Sequence, residues 1–349
     1  MQGLKCTQRK TWTKRAFALA LWGYTLVACA PPNTTIPPET PSVSNRQIPL
    51  DSLSLPQRNP SGSASADYGL KNILYWRVKA PDTTTTQGPT SYVVGTVHVN
   101  FAKDYPWPVT FENAFKTVKT LYLEADVSEI EKNPQAVLEK TLDPQQIVMQ
   151  TLSEAEFQQL SERLIPLGVP QSILPLLKPW YVNLLLSAPP EEAVTRPTQV
   201  MDQLLQDKAQ ENQVRIEYLE TALAQFEMME SIPTGEHIRL IRDALTEPLN
   251  RNGEHTLKTI AAYNQGDLSV LETAEAELKK ESPPFYERSL LLRNQAWLKT
   301  LIPVMQTQPV MVGVGVLHMV GENGLIAQLR SAGFAVERVS TGNTGDDPR

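Results

Sequence analysis

Cysteine is nearly missing from these 349 residues: the two present, Cys6 and Cys29, both lie within the first thirty positions. From Ala30 onward there is no thiol, no disulfide and no cysteine metal ligand. Histidine is scarce too, with four copies: His98, His237, His255 and His318. No glycine-rich phosphate loop or Gly-x-Ser-x-Gly elbow occurs, which argues against nucleotide binding and serine hydrolysis, and no short-spaced metal-ligand pair such as His-Glu-x-x-His is present. With 32 Lys and Arg against 38 Asp and Glu, the formal charge is -6, and no nucleic-acid partner is expected.

What is present begins with a targeting pattern. Lys5, Arg9, Lys10, Lys14 and Arg15 precede an apolar run from Ala16 to Ala28 that stops at Cys29. That run falls short of the roughly 20 residues a spanning helix needs. Leu26, Val27, Ala28 and Cys29 resemble the lipobox of bacterial lipoproteins. The resemblance implies a signal peptide over 1–28, lipidation at Cys29, and a domain held on a membrane by acyl chains. An ordinary secretory signal with a chance cysteine, or an uncleaved anchor, is the alternative. Ala30 follows the cysteine where an Asp would favour inner-membrane retention, so the periplasmic face of an outer membrane is expected if the cell has one. Residues 29–67 are rich in Pro, Ser and Thr and read as a tether, 68–339 as the folded domain, and 340–349 as a polar, disordered tail.

Ile73 to Lys79 and Ser91 to Gly95 carry β-forming residues around a polar loop and read as a hairpin. Thr110 to Lys119 has helical spacing and precedes a short strand at Leu121 to Leu123. Asn133 to about Ala209 reads as short helices broken by prolines, Val214 to Leu219 as a strand, and Thr221 to Met229 as a helix. His237 to Thr307 reads as long amphipathic helix with a break at Ser282 to Pro284. Pro309 to Val314 and Phe334 to Val339 are the last expected strands, around a helix-like Gly321 to Ser331. The expected class is α/β (α+β): a central mixed sheet formed from N- and C-terminal strands, with a large inserted helical layer.

Two echoes nominate a site. Val94 to Val99 (VGTVHV) parallels Val314 to Met319 (VGVLHM), and Tyr122-Leu123-Glu124 parallels Tyr218-Leu219-Glu220. Each copy ends an expected strand in a polar residue, and open α/β sheets bind ligands at the carboxyl edge of their strands. His98, Glu124, Glu220 and His318 thus form one candidate cluster. Two imidazoles and two carboxylates suit a divalent ion, Zn, Mn, Co or Fe, which would lower the pKa of a bound water to about 7. One carboxylate could serve as general base. The glycine three residues before each histidine is read as allowing a tight bend. In the competing reading the histidines are polar caps at strand ends and the glutamates pair with arginines. His237 and His255 sit in polar helical segments and are read as solvated.

Arg293 and Asn294 interrupt the apolar stretch SLLLRNQAWL; Arg293 either pairs with a buried acid or holds an anionic ligand group. Lys178, Pro179 and Trp180 read as structural, and Gln225 as a helix-surface or hydrogen-bonding residue. The ordered set LYWRV, YVVGTVHV, LYLEAD, KPW, YLETALAQ, LLRN and VGVGVLHMVGENGLIAQLRSAGFAVERV resembles the TraB/GumN family over about Leu74 to Val339. That resemblance implies a fold related to erythromycin esterases and haem-binding lipoproteins, and kinship with membrane-tethered metal-dependent proteases. It implies roles for His98, His318, Glu124, Glu220 and Arg293. The chain departs from the family where a Gly-x-Asp is often found, since Thr198 to Asp202 has no glycine. The expected function is a tethered extracytoplasmic metal-dependent hydrolase, a peptidase, with Glu124, Glu220 and Arg293 catalytic. The alternative is a non-catalytic lipoprotein that binds haem, metal or peptide in the same cleft.

Overall fold

The computed structural model describes residues 72–82, 87–97, 100–102, 107–126, 128–187, 198–248 and 254–340. The expected leader, Cys29, the whole of the tether and most of the tail lie outside these residues, as do His98 and the side chain of His255. Among the described residues no helix is long and apolar enough to cross a membrane.

Among the described residues eight strands form: β1 Tyr75–Lys79, β2 Thr90–Thr96, β3 Asn100–Ala102, β4 Thr120–Leu123, β5 Thr198–Val200, β6 Arg215–Tyr218, β7 Val310–Gly315 and β8 Ala335–Arg338. Six of them make one mixed sheet in the order β6-β4-β7-β2-β1-β8. β6, β4, β7 and β2 are parallel neighbours, while β1 runs against both β2 and β8. The α/β expectation holds, and strands from both ends of the chain meet at the centre, where β2 pairs with β7.

Central β7 is buried from Val310 to Val314, the unbroken apolar run of a strand covered on both faces. Its Gly313 is small for a reason: a Cβ there would stand 2.9 Å from side-chain atoms of both Leu123 and Leu205. Edge strands β6 and β8 instead carry Arg215, Glu217, Glu337 and Arg338, charges that discourage pairing with another chain. The helix Val109–Thr117 buries Phe111, Ala114 and Phe115 at the expected helical spacing. Covering each such phenylalanine contributes about 1.5–3 kcal/mol.

A second apolar cluster sits in the inserted helices, among them Glu154–Leu164, Pro179–Leu186, Ala222–Ser231 and Thr234–Thr246. Local signals start them: Ser153 and Glu156 form a capping box, and Pro179 occupies the first turn of its helix. Trp180 is buried in this cluster, in keeping with a structural role, and Lys178 pairs with Glu230.

Three expectations need correction. The span Asn133 to Ala209 is not wholly helical: β5 lies within it and pairs antiparallel with β3, a ribbon too short for alternation to reveal. The long helical segment breaks more often than expected, and Pro283 opens a new helix, followed by a π-helical turn Glu287–Leu291 and the helix Leu292–Thr307. His237 is not solvated but buried, because it shares the inward face of its helix with Ile241 and Leu245, four and eight residues on.

Candidate functional site

Parallel strands deliver their carboxyl ends to one edge. Glu124 follows β4, Glu220 lies two residues beyond β6, and His318 ends the 3₁₀ turn Val316–His318 that follows β7. β2, which leads toward His98, ends beside β7 at the same edge. The glycines of the two Gly-x-x-His segments act differently from the expected tight bend, for neither is among the positive-φ residues. Gly95 is a close-approach position, where a Cβ would stand 3.0 Å from Cγ2 of Val316 in the second segment. The Tyr263 hydroxyl donates to the Gly95 carbonyl at 2.8 Å and holds that strand end in place.

Arg293 is the hub that gathers the predicted residues. Its Nη2 donates to Glu124 Oε2 at 2.6 Å, and its Nε donates to Glu220 Oε1 at 2.9 Å. Nη2 also donates to Glu220 Oε1, while Nη1 meets the Ser289 carbonyl at 3.2 Å and His318 Nε2 at 3.1 Å. A guanidinium has five N–H groups, and all five are engaged here. Arg293 therefore has no donor left for a ligand. Of the two readings offered by the sequence, pairing with buried acid is the one realised. Burial works against its charge, yet Glu124 and Glu220 hold the guanidinium above its ordinary pKa. Its carbon lies 4.6 Å from the Trp297 ring centre, which adds a cation–π contact.

The two carboxylates are held differently. Glu124 Oε1 accepts from the Gly315 amide at 2.7 Å, and Oε2 accepts from Arg293 and from Gln225 at 3.3 Å. Glu220 is anchored through Oε1 alone, by Arg293 and by Gln225 at 3.0 Å. Its Oε2 has no hydrogen-bond partner among the described residues, and its side chain is twice as exposed as that of Glu124, 16% against 8%. Gln225, whose role the sequence left open, uses its amide nitrogen on both carboxylates and keeps only its carbonyl oxygen for anything else. Thr221 caps the helix Ala222–Ser231 and so places Gln225 one turn in, beside Glu220.

The formal charge of the cluster is two carboxylates and one guanidinium, net -1. Among the described residues of this cluster, the groups left to meet a ligand, Glu220 Oε2 and Gln225 Oε1, are both acceptors. The site is therefore suited to a ligand that brings protons or positive charge.

Two carboxylates and an imidazole nitrogen have the donor chemistry of a divalent-ion centre, but their point of convergence is held by Arg293. At 4 Å two unit charges repel by about 4 kcal/mol in a partly screened setting, so a dication beside the guanidinium would face about 8 kcal/mol. Glu124, Glu220 and His318, with Arg293 among them, do not fit a divalent ion. No group of three or more His, Cys, Asp or Glu able to hold a metal occurs among the described residues. Asp202, where the family pattern has its Asp, is buried in the first turn of the helix Met201–Glu211, which follows β5 directly.

Comparison with known proteins agrees with the motif reading. A family model described as the TraB/PrgY/gumN family matches residues 74–338. No curated protein and no solved structure matches the chain.

Proposed function

The chain belongs to the TraB/PrgY/gumN family, and from that premise we propose that it is an extracytoplasmic hydrolase of peptide bonds, tethered to a membrane through lipid at Cys29, with Glu220 as general base. The observation that carries the reading is the division of labour at the carboxylates: Glu220 is fixed by one oxygen and leaves the other free at the carboxyl edge of the sheet.

A carboxylate so held can take a proton from water as that water attacks a carbonyl carbon, and return it to the leaving nitrogen. Arg293 and Gln225 aim Glu220 through its Oε1, and Arg293, whose donors are all engaged, is a positioning residue. Glu124 joins Arg293 to the Gly315 amide and so ties the base to the end of β7. The Gln225 carbonyl oxygen would accept a substrate N–H, which favours an amide over an ester. Lipid at Cys29 would keep the domain near the membrane, and the outer membrane remains the favoured site if there is one.

A second reading keeps a divalent ion, favoured by the convergence of Glu124, Glu220 and His318; it requires Arg293 to leave their centre. A third uses the same acceptors to bind a peptide, metal or haem without cleavage. A peptide library incubated with the soluble domain, with and without chelator, separates the three. Cleavage that resists chelator and falls at least about 100-fold in Glu220→Gln is the expected result, as general-base catalysis contributes about 10² to 10⁴. Chelator-sensitive cleavage would move the chemistry to a metal. Retained peptide with no cleavage in wild type or variant would leave a binding module.

A further inference from the structure

His318 lies against two consecutive residues of one helix, Arg293 at Nε2 and Asn294 at Nδ1. Asn294 is buried, and nothing in the motif comparison assigns it a role. Its amide nitrogen donates to two backbone carbonyls, that of His318 at 3.2 Å and that of Asn323 at 3.0 Å. Carbonyls only accept, so the amide cannot be turned round, and Oδ1 must be the atom that faces His318 Nδ1, at 2.7 Å. An amide oxygen only accepts as well. The Nδ1 atom must carry the proton.

The other side of the ring reaches the same answer independently. Arg293 has donors and no acceptor, so Nε2, which it faces at 3.1 Å, must present a lone pair. The Trp297 ring, 4.5 Å from the imidazole centre, restricts the ring's tilt. Asn294 is in turn tied to the loop after His318, because Asn323 accepts from it and donates to the Tyr286 hydroxyl at 3.2 Å.

We infer that Asn294 is a positioning residue that locks His318 as the Nδ1–H tautomer, so that the imidazole offers the charged centre an acceptor and never a donor. This deepens the hydrolase reading, on which only its link to catalysis rests. His318 is then a fixed partner of Arg293, and the protonated imidazole has no place at either nitrogen: Nδ1 already donates, and an added proton on Nε2 would point at a guanidinium.

Nitrogen NMR of histidine-labelled protein tests this without substrate, with His318→Gln identifying the signals. The wild type at pH 8 is expected to show a protonated Nδ1 and an unprotonated Nε2. Asn294→Asp, which keeps an acceptor beside Nδ1, is expected to retain that pattern, whereas Asn294→Leu, which leaves Arg293 alone to bias a ring no longer held at Nδ1, is expected to show a mixture of the two tautomers. A wild-type ring protonated at Nε2 would overturn the inference whether or not the Asn294 variants fold. A Leu variant that keeps the wild-type tautomer would overturn it as well. Because no cleavage is measured, failure here is distinct from failure of Glu220→Gln to abolish hydrolysis.

Discussion

Two buried histidines, each with an asparagine at Nδ1, are built in opposite senses. In the helical insert, Asn183 Nδ2 lies 3.0 Å from His237 Nδ1 and also donates to the His237 carbonyl at 2.9 Å. His237 Nε2 faces the Met229 carbonyl at 3.0 Å and must donate to it. At the sheet edge Asn294 accepts instead of donating, and the Nε2 lone pair of His318 faces Arg293. Both ring nitrogens of His237 are taken by neutral partners, Asn183 and the Met229 carbonyl. His318 is joined to a centre of three charged side chains. Burial of a histidine is thus no guide to function; what separates the two is the group that meets the second nitrogen.

The comparison breaks most visibly at the charged centre. Arg293→Met should leave buried Glu124 and half-buried Glu220 without a counter-charge, and loss of one partner from a buried pair typically costs about 3–5 kcal/mol. Denaturant unfolding of the soluble domain should show that loss. An effect below about 1 kcal/mol would mean the cluster is solvated and the contrast with the insert is unfounded.

A smaller loss is expected in the insert. Asn183→Leu removes the donor to His237 Nδ1, and an unmet buried acceptor costs about 1–3 kcal/mol. The same unfolding experiment measures it, while Glu220-dependent cleavage should stay at the wild-type rate. A fall in cleavage would show the two regions to be coupled.

The smallest effect is the dependence on pH. Burial pushes the His237 imidazole below its ordinary value, against the pull of the Met229 carbonyl. The unfolded chain therefore takes up a proton near pH 6.5 that the folded chain refuses. Stability is full above about 6.5 and falls with pH between that value and the lower folded one, by at most about 1.4 kcal/mol per unit. His237→Gln should remove that slope from stability measured between pH 7 and 5; an unchanged slope would assign it to other groups.

The sheet was legible because its strands are punctuated apolar runs, and the run of β7 announces a strand covered on both faces. The ribbon of β3 and β5 was not, since three residues hold too little pattern. At the site, Glu124, Glu220 and His318 could be nominated because each follows a strand, and parallel strands share an edge. His237 could have been found buried from Ile241 and Leu245 one and two turns on. Gln225 and Asn294 could not be placed, because their value lies in which way an amide is turned, and that depends on carbonyls and carboxylates far along the chain.

By itself the sequence determined the family, the class of fold and the sheet edge to which the nominated residues come, since these follow from local periodicity and from motifs beside strands. Only the tertiary structure decided that a guanidinium stands where the nominated ligands converge and that Glu220 keeps a free oxygen. It also set the opposite tautomers of the two histidines. Each depends on contacts between residues up to 169 positions apart, as Arg293 is from Glu124, and no local pattern encodes a distance.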